Sequence, residues 1–281
     1  MSYKILVPLD GSPQSETVIP FLRLLASKTA VELKLMRCYE PISDVYSIPA
    51  DMMSLDTYAV LNETIPASLA DYLEGLQGQL DGIHTSTSVK RGPAAMEILA
   101  EGGSVFTDLV VMASHGRRGF SRWLLGGVTT KVVRSAEKPV LVVAGADAKE
   151  PKLDCIMVAV DGSDCSLRAF EKARELATAV GAELLLYQAI RMSMSGADPE
   201  PEMNAAQDYL QRLADSCTDL KTRVRVYPTD SAPYLVERAE ELGADLIVVG
   251  SHGRQGLSRL LMGSVAEHTL HHARCPIMVV H

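Results

Sequence analysis

The chain is written twice. Residues 3–12 read YKILVPLDGS and residues 154–163 read DCIMVAVDGS, an offset of 151 that carries without a gap into VELKLMRC (31–38) against AELLLYQA (182–189). Further on, DLVVMASHGRRGFSRWLLGGV (108–128) lies against DLIVVGSHGRQGLSRLLMGSV (245–265) at an offset of 137, and 17 of the 36 positions from 108 to 143 are identical. A chain that repeats itself folds as repeated units. The fall from 151 to 137 gives the first repeat 14 extra residues, assigned to the Pro-, Asp- and Ser-containing stretch 41–66. At roughly 100–200 residues per domain, 281 residues make two domains. Their expected bounds are 1–146 and 152–281, with a linker near AGADAKEPKLD (144–154).

Within each repeat, apolar β-rich runs alternate with amphipathic stretches. In the second, strands are predicted at about 155–160, 183–189, 222–227, 245–250 and 276–280, and helices at about 164–180, 200–217, 231–242 and 263–274. Leu167, Phe170, Ala173, Leu176 and Ala177 form an apolar stripe at helical spacing. Near-continuous apolar strands are buried on both faces, and strand–helix alternation implies a parallel sheet with right-handed crossovers. The predicted fold is α/β: two tandem Rossmann-like, doubly wound domains, each a five-stranded parallel sheet flanked by helices. The closing strands 139–143 and 276–280 are expected to pair, since an open edge strand invites aggregation.

Composition narrows function. Hydrophobic residues are 47% and charged residues 22%, as in an ordinary globular protein. Aromatics are only 5%, too few for a base-stacking platform. The net charge is −8 and neither half is basic, which argues against nucleic-acid or anionic-membrane partners. The five cysteines (38, 155, 165, 217, 275) form no CxxC pair, so neither a disulfide framework nor a cysteine zinc site is expected. No apolar run approaches the length of a membrane span, and no leader pattern opens the chain. A cytoplasmic location is expected.

Two strand ends carry candidate chemistry. Strand 1 of the second repeat ends in Asp161-Gly162-Ser163, matched by Asp10-Gly11-Ser12 in the first. Strand 4 ends in Gly250-Ser251-His252-Gly253, and Gly263-Ser264 follows at a helix start. Glycines let a backbone approach a ligand, and a helix N-terminus offers free N–H groups with partial positive charge. Ser264 adds a hydroxyl, and Arg254 and Arg259 add cations. The set makes an anion cradle suited to phosphates, with Asp161 placed for a ribose hydroxyl or a metal-bound water. The alternative is that these are turn and cap residues with solvated arginines.

The pattern G-x2-G-x9-G-[S/T], here Gly250, Gly253, Gly263 and Ser264, resembles the ATP-binding signature of the universal stress protein family. The DGS ending strand 1, the SHGR loop and the strand after Pro276 resemble the same family, and the match spans nearly the whole chain twice. The resemblance implies an ATP site lined by Ala159, Asp161 and Ser163, with backbone at Ala189 and Ile190 reading adenine. It implies that Gly250 approaches the ribose and that Gly253, Gly263, Ser264 and Val265 hold the phosphates, beside Arg254. A divalent cation, Mg2+ or Mn2+, accompanies them. The first repeat carries Pro8, Asp10, Ser12, Cys38, Gly116 and Gly126, but Ala113 replaces the first glycine and Gly127 the serine. The expectation is a weaker second site, blocked by the Ala113 methyl and short of a hydroxyl that Thr129 or Thr130 would have to supply.

The function implied is an ATP-binding regulator of the stress response, acting through conformation or an unidentified protein partner. A slow ATPase or phosphotransfer enzyme and a structural module with vestigial sites are the competing readings. No P-loop or pyrophosphatase loop is present, and no catalytic residue is assigned. The closing strands could make the chain a dimer mimic, with further self-association open. His268, His271 and His272 have metal-like helical spacing but lack a completing ligand. His115 and His252 are read as loop-positioning groups before general bases. Met52, Met53, Met192, Met194 and Met203 are read either as an adaptable apolar cover or as core.

Overall fold

The computed structural model describes residues 2–40, 55–114, 125–143, 150–190, 198–229, 232–253 and 262–281. The first repeat contains β1 (Tyr3–Pro8), α1 (Val18–Lys28), β2 (Val31–Tyr39), α2 (Leu55–Gly78), β3 (His84–Arg91), α3 (Ala94–Gly102), β4 (Leu109–Ala113), α4 (Gly127–Ser135) and β5 (Val140–Val143). The second contains β6 (Cys155–Ala159), α5 (Asp164–Val180), β7 (Glu183–Ile190), α6 (Glu200–Asp215), β8 (Thr222–Pro228), α7 (Ala232–Leu242), β9 (Leu246–Gly250), α8 (Ser264–His272) and β10 (Ile277–Val280).

All ten strands form one sheet in the order β3-β2-β1-β4-β5-β10-β9-β6-β7-β8. Each half is parallel. The halves meet antiparallel through β5 and β10, with Val142 opposite Ile277, Leu141 opposite Met278 and Val140 opposite Val279. All six side chains are buried. Fully apolar strands such as β4, β5 and β10 occupy the middle, where both faces are covered. The outer strands β3 and β8 carry Lys90, Arg91, Arg223 and Arg225, charges that discourage pairing with another chain.

Helices cover both faces. Side chains of α1, α2, α5 and α6 (Leu22, Leu73, Phe170, Leu210) build one core layer. Side chains of α3, α4, α7 and α8 (Ile98, Val132, Leu235, Leu270) build the other. The α5 helix shows how local sequence sets an element. Ser163 caps its N-terminus by accepting from the Ser166 amide. Gly181 ends it in the left-handed region at φ 70°, as glycine does at little cost. Its buried stripe includes Phe170, Ala173, Leu176 and Ala177 as expected, whereas Leu167 lies at the margin, only half-buried. Helix α2 has 24 residues against 16 in α6. Asp71-Tyr72-Leu73 already matches Asp208-Tyr209-Leu210 at the 137 offset, so the extra residues precede Asp71. Among the described residues, no helix is long and apolar enough to cross a membrane.

Candidate functional site

In each half the strand order reverses beside strand 1, between β1 and β4 and between β6 and β9. Doubly wound sheets bind ligands at that crevice, beyond the carboxyl ends of the strands. In the second half, Asp161 follows β6, Ser251-His252-Gly253 follows β9, and Gly263 opens α8. The Gly263 amide donates to the Ser251 carbonyl at 2.8 Å and folds the start of α8 back onto the end of β9. A β-carbon on Gly253 would stand 2.7 Å from Asp161 Oδ2, and one on Gly263 would stand 3.7 Å from the Gly253 nitrogen. Asp161, Gly253 and Gly263 therefore converge.

The three glycines differ in cause. A β-carbon on Gly250 would lie 3.0 Å from both Sγ and the carbonyl carbon of Cys165. Close packing of α5 on β9 already demands glycine there. At Gly253 a β-carbon would press on the end of the Asp161 side chain, which would have to shift. At Gly263 no described residue demands glycine: its φ of −65° and ψ of 147° suit any residue, and its nearest described neighbour would be an ordinary 3.4 Å contact. Beyond it, Ser264 and Val265 are exposed in the first turn of α8, and no described side chain caps that turn. The leading amides of such a helix lack intrahelical partners and attract anions.

The β7 strand supplies a second feature. The Val160 amide donates to the Tyr187 carbonyl, so Tyr187 faces β6. In a parallel ladder alternate residues face the same neighbour, so the Ala189 amide and carbonyl also face that side. There β6 has ended, leaving them over the crevice. Ile190 faces the other way, and its carbonyl accepts from the Thr229 amide at 2.8 Å. Of the two, Ala189 is the one whose backbone faces the crevice. Ala159 ends β6 on the face of the second core layer.

Other candidates take structural roles. The Ser163 hydroxyl donates to Asp161 Oδ1 at 2.6 Å and accepts from the Ser166 amide, which uses it in capping. Ser12 repeats this with Asp10 and Ser15. His252 Nδ1 lies 2.9 Å from Ser251 Oγ, a loop-positioning bond, while its buried Nε2 finds no partner among the described residues. Arg254, Arg259, His115, Gly116, Met52, Met53, Met192 and Met194 lie outside the described residues; Met203 is half-buried on α6. Rings of His268 and His272 stack at 4.0 Å, and the described residues contain no cluster of three ligands able to hold a metal.

The first half has the same framework. Asp10 follows β1 after Pro8, Gly126 caps α4 with Gly127 exposed behind it, and the Gly126 amide donates to the Ser114 carbonyl at 2.8 Å. Cys38 faces the end of β1 as Ala189 faces the end of β6, since the Leu9 amide donates to Met36. Burial pushes the Cys38 thiol up to about 11. Two expectations change. The direction blocked at Gly250 points at a helix, not into the crevice, and Ala113 packs its methyl into the core beside a 3-10 turn (Ser15–Thr17) that delays the start of α1 to Val18. Thr129 cannot replace the missing serine hydroxyl, because its own donates to the Ala113 carbonyl at 3.0 Å in a buried position.

A residue the motif reading missed stands beside the turn that follows β1. The Arg37 guanidinium lies over Gly11, whose β-carbon, if it had one, would be 2.7 Å from Cζ. Arg37 also lies over the Tyr72 ring at 4.6 Å, and the Tyr72 hydroxyl donates to Glu16 at 2.8 Å. The signal was present in the offset comparison, where Arg37 stands against Gln188 and Glu16 against Leu167.

A cavity of about 630 Å³ opens at the amino ends of β6 to β9, the far end of the sheet. Within its charged lining Glu183 lies 3.1 Å from Arg223 and 3.2 Å from Lys221.

Two fused parallel half-sheets, each with a glycine at a helix start bonded back to a strand end at its switch point, define a tandem doubly wound α/β protein. The family model for the universal stress protein family matches residues 1–144 and again 153–281, and the chain belongs to that family. A universal stress protein of Mycolicibacterium smegmatis is 28% identical over 292 residues, covering 99% of this chain and 97% of its own. One from Mycobacterium tuberculosis is 29% identical, covering 98% and 96%. In structure, a universal stress protein from Archaeoglobus fulgidus superposes with a TM-score of 0.72 over 98% of this chain and 97% of its own, at 20% identity.

Proposed function

We propose that the chain is an ATP-binding regulatory protein of the stress response, with its working nucleotide site in the second half. The reading rests on Gly263. Neither backbone conformation nor packing among the described residues requires glycine there, and it stands at a helix start that no described side chain caps, within reach of Gly253 and Asp161. Room for a ligand would account for the missing side chain. The residues present fit a nucleoside triphosphate. The first amides of α8, with the Ser264 hydroxyl, would hold phosphate oxygens; Asp161 would meet the ribose or a cation-bound water; the Ala189 backbone would meet the base. Bound Mg2+ would neutralise phosphate charge. Output through altered conformation or a protein partner follows from the site's composition, which serves binding rather than bond breaking.

Calorimetric titration with Mg-ATP tests this. Gly263→Val fits the existing backbone, so the fold survives while the side chain fills the phosphate position. Binding by the native chain and its loss in the variant are expected. Unchanged affinity in Gly263→Val would sink the assignment.

A further inference from the structure

The two halves share one framework but not one crevice. In the first, the Arg37 guanidinium lies close to Gly11 and 4.6 Å from the centre of the Tyr72 ring. Gly11, at φ 74°, presents bare backbone to it. The Tyr72 ring is itself anchored, since its hydroxyl donates to Glu16 at 2.8 Å. Burial and the Glu16 bond push the Tyr72 hydroxyl well above its ordinary range, and Arg37 and Asp10 both act on it, which places all four groups together. A guanidinium stacked on an aromatic face is held more firmly than a lysine would be.

The second half keeps the platform and lacks the clamp. Gly162 repeats the left-handed glycine at φ 83°. Tyr209 repeats Tyr72 and packs partly buried against the same core layer. Gln188 stands where Arg37 does, shorter and uncharged, and Leu167 stands where Glu16 does. Neither the cation nor this anion is repeated in the second half.

We propose that Arg37 is the residue that makes the two sites unequal: its side chain occupies, in the first half, the base and ribose end of the crevice that the second half leaves to a nucleotide. The proposal rests on the reading of the second half as an ATP site. It replaces Ala113 as the cause of the inequality, because the Ala113 methyl packs in the core. A ligand entering the first half must displace the guanidinium from its tyrosine. Loss of one such contact corresponds to roughly tenfold in affinity.

The test is Mg-ATP titration of the full chain and of Arg37→Gln, each alone and with Gly263→Val, with Arg37→Ala as a second opening variant and circular dichroism to verify folding. The native chain should bind at about one site. Arg37→Gln should add a second site, at least about tenfold tighter than any binding by the native first half, and Gly263→Val should leave that new site in place. No added site in folded opening variants, with native binding retained, overturns the role of Arg37 and leaves the second-half site standing. Two sites in the native chain, or a site lost in Arg37→Gln, also overturns it, since arginine would then be reading the ligand. Failure of both opening variants to fold would make Arg37 part of the core and overturn it too. Binding by Arg37→Gln without native binding would sink the second-half reading alone. Absence of binding in every chain would sink both.

Discussion

The Sγ of Cys165 lies 3.0 Å from where a β-carbon on Gly250 would stand. The neighbouring carbonyl oxygen of Cys165 would be 3.1 Å away. Glycine at the end of β9 is thus a packing requirement of α5, whatever else the position does. Gly250→Ala should lower stability by about 1–3 kcal/mol, the usual cost of overpacking. Urea denaturation measures it. Adding Cys165→Ala should recover only part of the loss, because the backbone carbonyl stays in place. A neutral Gly250→Ala would mean that α5 shifts freely on the sheet.

Ser163 separates a capping role from a binding role. Its hydroxyl is engaged by Asp161 and by the Ser166 amide. Ser163→Ala should cost about 1 kcal/mol through the lost cap. Mg-ATP affinity should change by less than about threefold, under 1 kcal/mol. A large loss of affinity with unchanged stability would put the hydroxyl on the ligand instead.

The joint between the halves is predicted to be held by its apolar ladder rather than by surface charge. Leu141 is fully buried opposite Met278. The Arg134–Glu267 pair also crosses the joint, at 2.7 Å, but both side chains remain nearly half exposed. Leu141→Ala should cost about 2–5 kcal/mol, and Arg134→Ala no more than about 1 kcal/mol. Denaturation midpoints of the two variants compare them directly. Equal losses would show that the ion pair contributes more than exposed pairs usually do.

Much of this molecule was legible in the order of its residues. The repeat, the strand and helix alternation and the pairing of the closing strands all follow from apolar runs whose period and offset are visible without coordinates. So did the convergence of Asp161, Gly253 and Gly263, because residues ending neighbouring parallel strands must meet at one edge. Tertiary structure decided what each small residue is for. A glycine in a sequence does not say whether it yields to a helix, as Gly250 does to Cys165, or has room for a side chain among the described residues, as Gly263 does. A serine does not say whether its hydroxyl is already engaged, as at Ser163 and Thr129 is likewise engaged through its own. Nor does Arg37 announce that it reaches Gly11 and Tyr72, residues 26 and 35 positions away along the chain. Local pattern fixes which backbone lies beside which; the direction of each side chain, and the space it fills, are set only when distant segments pack.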